Sequence, residues 1–342
     1  MSGELPATFV KGFHNEELVR RMEYRELGNT GLRVSKVALG GATLSGLLYN
    51  NFDREEGIRT VQEAIKSGIN YIDTAPVYGN SEKLLGEALK GVPREAYYLA
   101  TKVARYEFDP QRMFDYTAAR ARESVKESLQ RLGLDRVDIL QVHDVDAAPS
   151  LDIVLNETIP VLEEYVKEGK ARFIGITGYD SAVLQECAER GKGRIQVILN
   201  YARYTLLDNT LQRHMKAFRE LNVGVVCASA HALGLLSNSG PYSWHPASPE
   251  LLALARRAAD ICKERNVELG KLAMYHTMQL EGAGTFLTGM PNRQQLQTNL
   301  NAFFDGLTPH EQSVLQYLKE NVFTKSHRWG SILSTVNRLE KL

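Results

Sequence analysis

The sequence predicts an α/β protein whose main unit is a closed (β/α)8 TIM barrel. Short β-branched apolar runs alternate with amphipathic helical patterns, and eight such strand–helix units follow one another along the 342 residues. This alternation implies parallel strands joined by right-handed crossovers, and eight units suffice to close a barrel. An open doubly wound sheet is the weaker alternative, because the glycine-rich ALGGATLSG after the first strand lacks G-x-G-x-x-G spacing.

The chain divides into three parts without a visible linker. Residues 1–23 form a polar arm, residues 24–306 the barrel with a small hairpin at GNTGLRVS, and residues 307–342 a C-terminal helix and tail packed on it. The predicted strands are SKVALGG, INYID, YYLATK, VDILQVH, ARFIGIT, RIQVILN, VGVVCAS and GTFLTGM. The predicted helices are REEGIRTVQEAIKSG, SEKLLGEALKG, RMFDYTAARARESVKESLQRLGL, LDIVLNETIPVLEEYVKEGK, SAVLQECAERG, TLQRHMKAFRELN, SPELLALARRAADICKERN with ELGKLAMYHTMQL, and NRQQLQTNLNAFF.

Local signals fix several helix boundaries. Ser248 is the expected N-cap of the seventh helix, with Pro249 in its first turn. Thr308 and Glu311 have the spacing of a capping box, which predicts the extra C-terminal helix. Pro160 predicts a kink in the fourth helix.

The composition indicates a protein that acts on small molecules in the cytoplasm. Lys+Arg and Asp+Glu are both 41, so no net charge favours nucleic acid or an anionic membrane. The three cysteines are far apart, which favours a reducing compartment, and no apolar run resembles a signal peptide or a membrane span. No His-x-x-x-His or carboxylate cluster predicts a metal site.

Four polar residues stand where buried strands end, and they are the candidate catalytic residues. Asp73, Lys102 and His143 end the second, third and fourth predicted strands, and Tyr78 lies in the loop after Asp73. The carboxyl ends of barrel strands meet on one face, so these side chains are expected to converge.

The four residue types suit proton transfer to or from a substrate oxygen. A tyrosine normally keeps its proton to about pH 10, and a nearby ammonium such as Lys102 is expected to lower its pKa. Asp73 would hold Lys102, and His143 would orient the substrate oxygen toward Tyr78. The four residues include no hydride donor, so a cofactor must supply one.

Each residue also fits a structural role when it is taken alone. Asp73 fits a turn cap, Lys102 a side chain reaching out of the barrel rim, and His143 a hydrogen-bonded core histidine. The joint pattern at the strand ends favours catalysis over these separate interpretations.

Three segments carry a resemblance to a known family. GINYIDTAPVYGNSEKLLGEAL, LATKV and LGLDRVDILQVHD resemble the aldo-keto reductases, and the likeness extends from about Tyr24 to Phe304. The resemblance implies a catalytic tetrad of Asp73, Tyr78, Lys102 and His143 and a nicotinamide cofactor in the barrel mouth. GPYSWHPASPEL also resembles the L-galactose dehydrogenase branch of that family, whose members oxidise sugars with NAD.

The resemblance also implies the cofactor site, with departures from the family pattern. Thr177 and Gly178 replace a Ser-Asn pair, Tyr201 replaces a glutamine, and Ala228 replaces a stacking tyrosine. Tyr201 is therefore expected to stack on the nicotinamide. The implied cofactor-binding residues are Thr177, Asn200, Tyr201, Ser229, Gly289, Pro291, Asn292, Arg293, Gln295 and Asn299.

The phosphate end of the implied site favours NAD over NADP. The family's lysine near Gly289 and arginine near Gln295 are absent, and a 2′-phosphate prefers such cations. Arg293 is retained, so both cofactors are compatible with the sequence.

The sequence thus predicts an NAD(P)-dependent oxidoreductase of a sugar or a small carbonyl compound. The expected substrate-binding residues are Tyr49, Tyr106 and Trp244, and an aromatic such as Trp244 suits stacking on a pyranose. Packing of the loop by Trp244 is an equal alternative. Two other functions stay open: a cofactor-binding regulatory subunit with little turnover, and a Schiff-base aldolase that uses Lys102.

Overall fold

The structure is a computed structural model that describes residues 4–46, 52–242 and 245–329. Within these residues eight parallel strands form a closed barrel, as the sequence predicts. A separate antiparallel hairpin, β1 (Tyr24–Glu26) and β2 (Arg33–Ser35), precedes it. The barrel strands are β3 (Val37–Gly40), β4 (Tyr71–Asp73), β5 (Tyr98–Val103), β6 (Ile139–Val142), β7 (Phe173–Gly178), β8 (Val197–Tyr201), β9 (Gly224–Ala228) and β10 (Thr285–Gly289).

One short helix precedes the hairpin, and the other helices alternate with or follow the barrel strands. They are α1 (Glu16–Arg21), α2 (Arg54–Lys66), α3 (Ser81–Ala88), α4 (Ala118–Leu132), α5 (Leu151–Ile153), α6 (Ile159–Lys167), α7 (Ser181–Gly191), α8 (Met215–Glu220), α9 (Pro249–Glu264), α10 (Leu269–Thr277), α11 (Arg293–Phe304) and α12 (Pro309–Asn321). In the described residues no helix is long and apolar enough to cross a membrane.

The predicted caps are confirmed. The Ser248 side chain accepts a hydrogen bond from the backbone of Leu251, and Pro249 occupies the first turn of α9. Thr308 and Glu311 form both hydrogen bonds of the capping box that begins α12. These helices therefore start where their sequences supply acceptors for the first free N–H groups.

Two predicted helices are less regular than their sequences indicate. The fourth is interrupted by a π-helical turn, Val154–Thr158, directly before Pro160. Proline cannot donate a backbone hydrogen bond, and a π turn absorbs the missing donor. The sixth splits into a 3-10 turn, Thr210–Arg213, and the short α8.

The hairpin closes the amino-terminal end of the barrel. Leu27, Leu32 and Val34 are fully buried in a cluster with the inward-facing residues of the strands. Gly28 has φ +56°, and a Cβ there would lie 2.2 Å from the backbone nitrogen of Gly224, where β9 begins. Substrate access is therefore at the opposite end, where the strands finish.

The segment after α12 returns to that open end. The backbone nitrogen of His327 donates to the carbonyl of Leu207 over 2.7 Å. Trp329 is buried, with its ring 6.1 Å from that of Tyr201 and 4.7 Å from that of His245. The C-terminal segment thus forms part of the wall beside β8.

Candidate active site

A buried ion pair occupies the centre of the barrel mouth. Lys102, near the end of β5, donates to the carboxylate of Asp73 at the end of β4 and, over 2.8 Å, to the carbonyl of Thr74. The second carboxylate oxygen of Asp73 accepts from Gln141 Nε2 over 2.7 Å. Both charged side chains are at most 2 % exposed, so their contacts hold them in one geometry.

Tyr78 and His143 lie above this pair. Lys102 Nζ is 5.0 Å from the centroid of the Tyr78 ring, and the His143 ring meets the Tyr78 ring edge to face at 5.8 Å. The structure therefore brings the four predicted catalytic residues into one cluster, hereafter the tetrad.

His143 is neutral in this setting. Burial, followed by the positive charges of Lys102 and Arg105, lowers the pKa of His143 well below 6.5. In the described residues its Nδ1 atom has no hydrogen-bond partner, while Nε2 lies 3.7 Å from the carboxylate of Asp144. The proton is accordingly assigned to Nε2, where it is available to a substrate oxygen.

Tyr78 keeps its proton more firmly than an exposed tyrosine. Burial, then the negative charges of Asp73 and Asp144, raise its pKa well above 10, and Arg105 acts in the opposite direction. The prediction that Lys102 lowers the pKa of Tyr78 is wrong for this structure. The Lys102 ammonium donates to the Asp73 carboxylate and the Thr74 carbonyl. In the described residues it makes no hydrogen bond to the Tyr78 hydroxyl.

A second charged pair lies beside the tetrad and was not predicted. Arg105 Nη1 donates to Asp144 Oδ2 over 2.9 Å, and the two side chains are 13 % and 5 % exposed. Both residues stand just past a strand, Arg105 after β5 and Asp144 directly after His143. The rule that located the tetrad therefore applies to them as well. This cluster is called the Arg105–Asp144 pair below.

A cleft of about 360 Å³ leads from Asp73 and Tyr78 to the first turns of α11. Its walls include the glycine-rich end of β3, the ends of β8, β9 and β10, and the start of α10. Both Gly289 and Thr43 line the cleft, and glycine is favoured at position 289 because a Cβ there would lie 2.1 Å from the Thr43 side chain.

Six of the ten predicted cofactor-binding residues line this cleft: Tyr201, Ser229, Gly289, Asn292, Gln295 and Asn299. Asn292 is the N-cap of α11, and its side chain accepts from Gln295 N. In that turn the backbone nitrogen of Arg293 donates to the Glu56 carboxylate of α2, so one side of the helix start is already occupied by a negative charge.

The other four lie outside the cleft lining. Thr177 accepts from the backbone of Asp144, and the Asn200 amide bonds to Ser181, Gly178 and Tyr179. Pro291 is buried. Arg293 donates through Nε and Nη2 to the Glu56 carboxylate of α2, over 3.0 and 3.1 Å. It therefore points toward α2 rather than toward the cleft.

The three expected substrate-binding residues have different outcomes. Tyr49 and Trp244 lie outside the described residues. The Tyr106 hydroxyl accepts from the backbone of Ala104, and its ring packs 4.0 Å from the Arg120 guanidinium. Tyr106 thus supports the loop after β5 from its α4 side.

Two further cleft residues escaped the sequence argument. His231 lines the cleft, with Nδ1 2.9 Å from Thr288 Oγ1 and Nε2 3.2 Å from the Gly270 carbonyl. Glu268, the N-cap of α10, also lines the cleft, and its carboxylate accepts from the backbone of Gly270. The position of His231 shortly after β9 is the one sequence signal that could have identified it.

The barrel, the tetrad and the adjoining cleft together define an oxidoreductase-type site at the carboxyl ends of parallel strands. A family model for the aldo/keto reductase family matches residues 36–319. The chain belongs to this family.

Similar proteins include sugar dehydrogenases. The chain is 42% identical over 287 residues to L-galactose dehydrogenase from Arabidopsis thaliana, covering 82% of this chain and 88% of that protein. It is 30% identical over 322 residues to D-arabinose 1-dehydrogenase from Saccharomyces cerevisiae, covering 87% and 94%. A solved aldo-keto reductase from Bacillus halodurans, in a holo form, matches with a TM-score of 0.68 and 28% identity over 90% of this chain and 98% of that one. These relatives support an oxidoreductase that acts on sugars or aldehydes.

Proposed function

We propose that this protein is an NAD(P)-dependent sugar dehydrogenase that oxidises an aldose at its anomeric carbon, with Tyr78 as the general acid and base. The observation that carries the proposal is the convergence of Asp73, Tyr78, Lys102 and His143 beside the cleft. The sugar dehydrogenases among its relatives support the substrate class.

Each member of the tetrad has a role that follows from its contacts. His143 donates from Nε2 to the substrate oxygen and orients it toward the Tyr78 hydroxyl. Tyr78 takes the hydroxyl proton in oxidation and returns a proton in reduction. The Lys102 ammonium is held by Asp73 at 5.0 Å from the Tyr78 ring centroid and fixes the floor of the site, while the charge of Arg105 favours the phenolate when it forms.

The cleft fits a nicotinamide dinucleotide. Bound there, the nicotinamide would exchange a hydride with the substrate carbon. Ser229 and Tyr201 would flank it near the tetrad, and the first turn of α11 would receive its phosphate or ribose groups. A Schiff base on Lys102 is disfavoured, since a nucleophilic amine must be neutral and this one is paired with Asp73.

Tyr201 is the proposed stacking partner of the nicotinamide, because Ala228 beside it offers no ring. Tyr201 lines the cleft, and its ring is supported by the Tyr179 ring at 5.0 Å. Tyr201→Ala is expected to raise the dissociation constant of NADH by about 2- to 10-fold, because the stacking contact is lost. Tyr201→Phe keeps the ring and is the matched control. An unchanged constant in Tyr201→Ala, measured by fluorescence titration, contradicts this role.

The charges around the far end support NAD over NADP. In the described part of the cleft no lysine or arginine lines the wall, Glu268 contributes a carboxylate, and Arg293 is paired with Glu56. A 2′-phosphate would meet a negative charge there, whereas a ribose 2′-hydroxyl would find an acceptor.

The proposal is tested by assaying aldoses, polyols and aldehydes with NAD(H) and NADP(H) in both directions. Oxidation of an aldose, followed at the nicotinamide absorbance, is the expected result. Tight cofactor binding without turnover of any substrate would instead indicate a regulatory subunit. A preference for NADP would overturn the assigned cofactor.

A further inference from the structure

The Arg105–Asp144 pair has features of a built site rather than of a stabilising ion pair. Two charges removed from water rarely give a net gain in stability over apolar side chains. Both residues nevertheless lie buried beside the tetrad, and Arg105 Nε has no hydrogen-bond partner in the described residues. A functional role explains this arrangement better than packing does.

Two unusual backbone positions create the pair. Ala104 has φ +81° and Asp144 has φ +51°, conformations that side chains other than glycine adopt rarely. Each lies just past a strand, so the chain turns sharply after β5 and after β6. Left-handed residues at strand ends concentrate at functional sites, where the surrounding structure holds them in place.

Hydroxyl side chains fix both turns. Tyr106 accepts from the Ala104 backbone over 2.9 Å, and Arg105 forms an isolated β-bridge with Phe114. On the other side, Thr177 accepts from the Asp144 backbone over 3.0 Å and the Tyr116 hydroxyl donates to its carbonyl over 2.6 Å. The orientation of the Arg105–Asp144 pair is thus set before any ligand arrives.

The location of the pair determines what it can recognise. Asp144 Oδ2 lies 3.7 Å from His143 Nε2, the atom that holds the reacting oxygen in the proposed reaction. A second oxygen next to the reacting one is therefore brought to this carboxylate. A carboxylate accepts a hydroxyl hydrogen but repels a bare carbonyl oxygen, so the site selects an alcohol.

We propose that the Arg105–Asp144 pair is a substrate subsite that binds the hydroxyl on the carbon next to the reacting carbon of an aldose. Asp144 accepts the hydrogen of that hydroxyl, and Arg105 holds the carboxylate in position and balances its charge. The subsite rests on the proposed sugar oxidation and defines the substrate class further, as an aldose with a free 2-hydroxyl.

The test compares an aldose with its 2-deoxy analogue of the same configuration. In the wild type, loss of the hydroxyl is expected to lower kcat/KM by roughly 10- to 100-fold, the usual effect of a hydrogen bond to a charged group. In Asp144→Asn the two sugars are expected to differ by less than about 3-fold, because the amide is a weaker, uncharged acceptor. Arg105→Lys keeps the charge and is expected to retain part of the discrimination.

Asp146→Asn is the matched control, because this nearby half-buried carboxylate accepts from the backbones of Tyr179 and Asp180. Its ratio of the two kcat/KM values should equal that of the wild type. Equal kcat/KM for both sugars in the wild type overturns the subsite, as does full discrimination in Asp144→Asn, while sugar oxidation stands. If the wild type oxidises aldehydes but neither sugar, the proposed function fails, and the subsite fails with it.

Discussion

At the scale of single residues, the site contains two ion pairs in different positions. The Asp73–Lys102 pair is buried beneath the Tyr78 phenol and holds a cation there, whereas the Arg105–Asp144 pair lies beside the His143 imidazole. His143 stays neutral between two cations and therefore acts as a hydrogen-bond donor rather than as a charged acid. In the proposed reaction, Tyr78 is then the group whose protonation state differs between oxidation and reduction.

The raised pKa of Tyr78 predicts different pH profiles for the two directions. Oxidation requires the phenolate, whose fraction grows about tenfold per pH unit below the pKa, so kcat/KM should rise from pH 7 to 9. Reduction uses the protonated phenol and should show no loss of rate from this group over that range. Tyr78→Phe should lower the rate in both directions by about 10²- to 10⁴-fold.

Steady-state kinetics in both directions check this prediction. Tyr24→Phe is the control, since the Tyr24 hydroxyl bonds to the Gly68 carbonyl away from the mouth, and it should keep both profiles. An oxidation rate that is flat from pH 7 to 9 would show that the phenol is not the base.

The tetrad could be predicted from sequence, but its surroundings could not. Asp73, Lys102 and His143 stand at strand ends. The alternation of strand and helix patterns predicts parallel strands, so these ends are expected on the same face of the barrel. Arg105 and Asp144 also follow strand ends, but left-handed turns at Ala104 and Asp144 bring the two side chains together, and a sequence without glycine at those positions does not predict such turns. Arg293 shows the opposite effect. Its position in the motif predicts a cofactor contact in the cleft, but its side chain instead binds the Glu56 carboxylate of α2.

At the scale of elements, strand order and helix starts follow the sequence closely. The eight barrel strands pair with their neighbours in sequence, as predicted. Each apolar run is too short for a helix, and a helical pattern follows it, which is typical of consecutive parallel strands. The irregular turns depend on tertiary packing instead. The π turn precedes Pro160, whose missing donor predicts an irregularity but not its form, and the 3-10 turn before the short α8 has no such sequence signal.

The contact between α2 and α11 yields a prediction about cofactor preference. Glu56 of α2 binds Arg293 at the start of α11 through side-chain and backbone hydrogen bonds. Glu56→Gln should weaken this hold and free the guanidinium for a 2′-phosphate. NADPH is then expected to bind on the order of 3-fold more tightly, the usual size of an exposed charge pair, with little change for NADH.

Glu55→Gln provides the comparison, because this exposed neighbour on the same helix pairs with Arg54 instead. Dissociation constants for both cofactors, measured by fluorescence titration, should be unaffected in that variant. If Glu56→Gln leaves NADPH binding unchanged, Arg293 has no role at the far end of the cleft.

At the scale of the whole molecule, different segments cover the two ends of the barrel. The hairpin plugs one end with Leu27, Leu32 and Val34, and its glycine turn could be read from the sequence. The segment after α12 crosses to the open end and buries Trp329 beside Tyr201, a path set by long-range packing. Sequence periodicity thus specifies the barrel, while the closure of its mouth depends on contacts between distant segments.

Buried histidines predict that the folded protein loses stability in acid. Burial lowers the pKa of His231 and of His276 to about 4, and that of His143 well below 6.5. Below pH 6.5 the unfolded chain binds protons that these folded imidazoles do not, so the free energy of unfolding falls as the pH drops from 6.5 toward 4. By pH 5, His231 and His276 should each cost up to about 2 kcal/mol.

Asp144 and Asp146 oppose this trend, because burial raises the pKa of both carboxyl groups, and a pair of histidine variants isolates the contribution of His276. Burial raises the pKa of Asp144 to about 6, so its contribution to stability grows as the pH falls below 6, and it offsets only part of the loss. His276→Gln should show a smaller drop in unfolding free energy between pH 7 and pH 5 than the wild type, measured by urea denaturation. His310→Gln, at an exposed position on α12, should show the full drop. A wild-type free energy of unfolding that is equal at the two pH values would mean that the histidines accept protons within the fold.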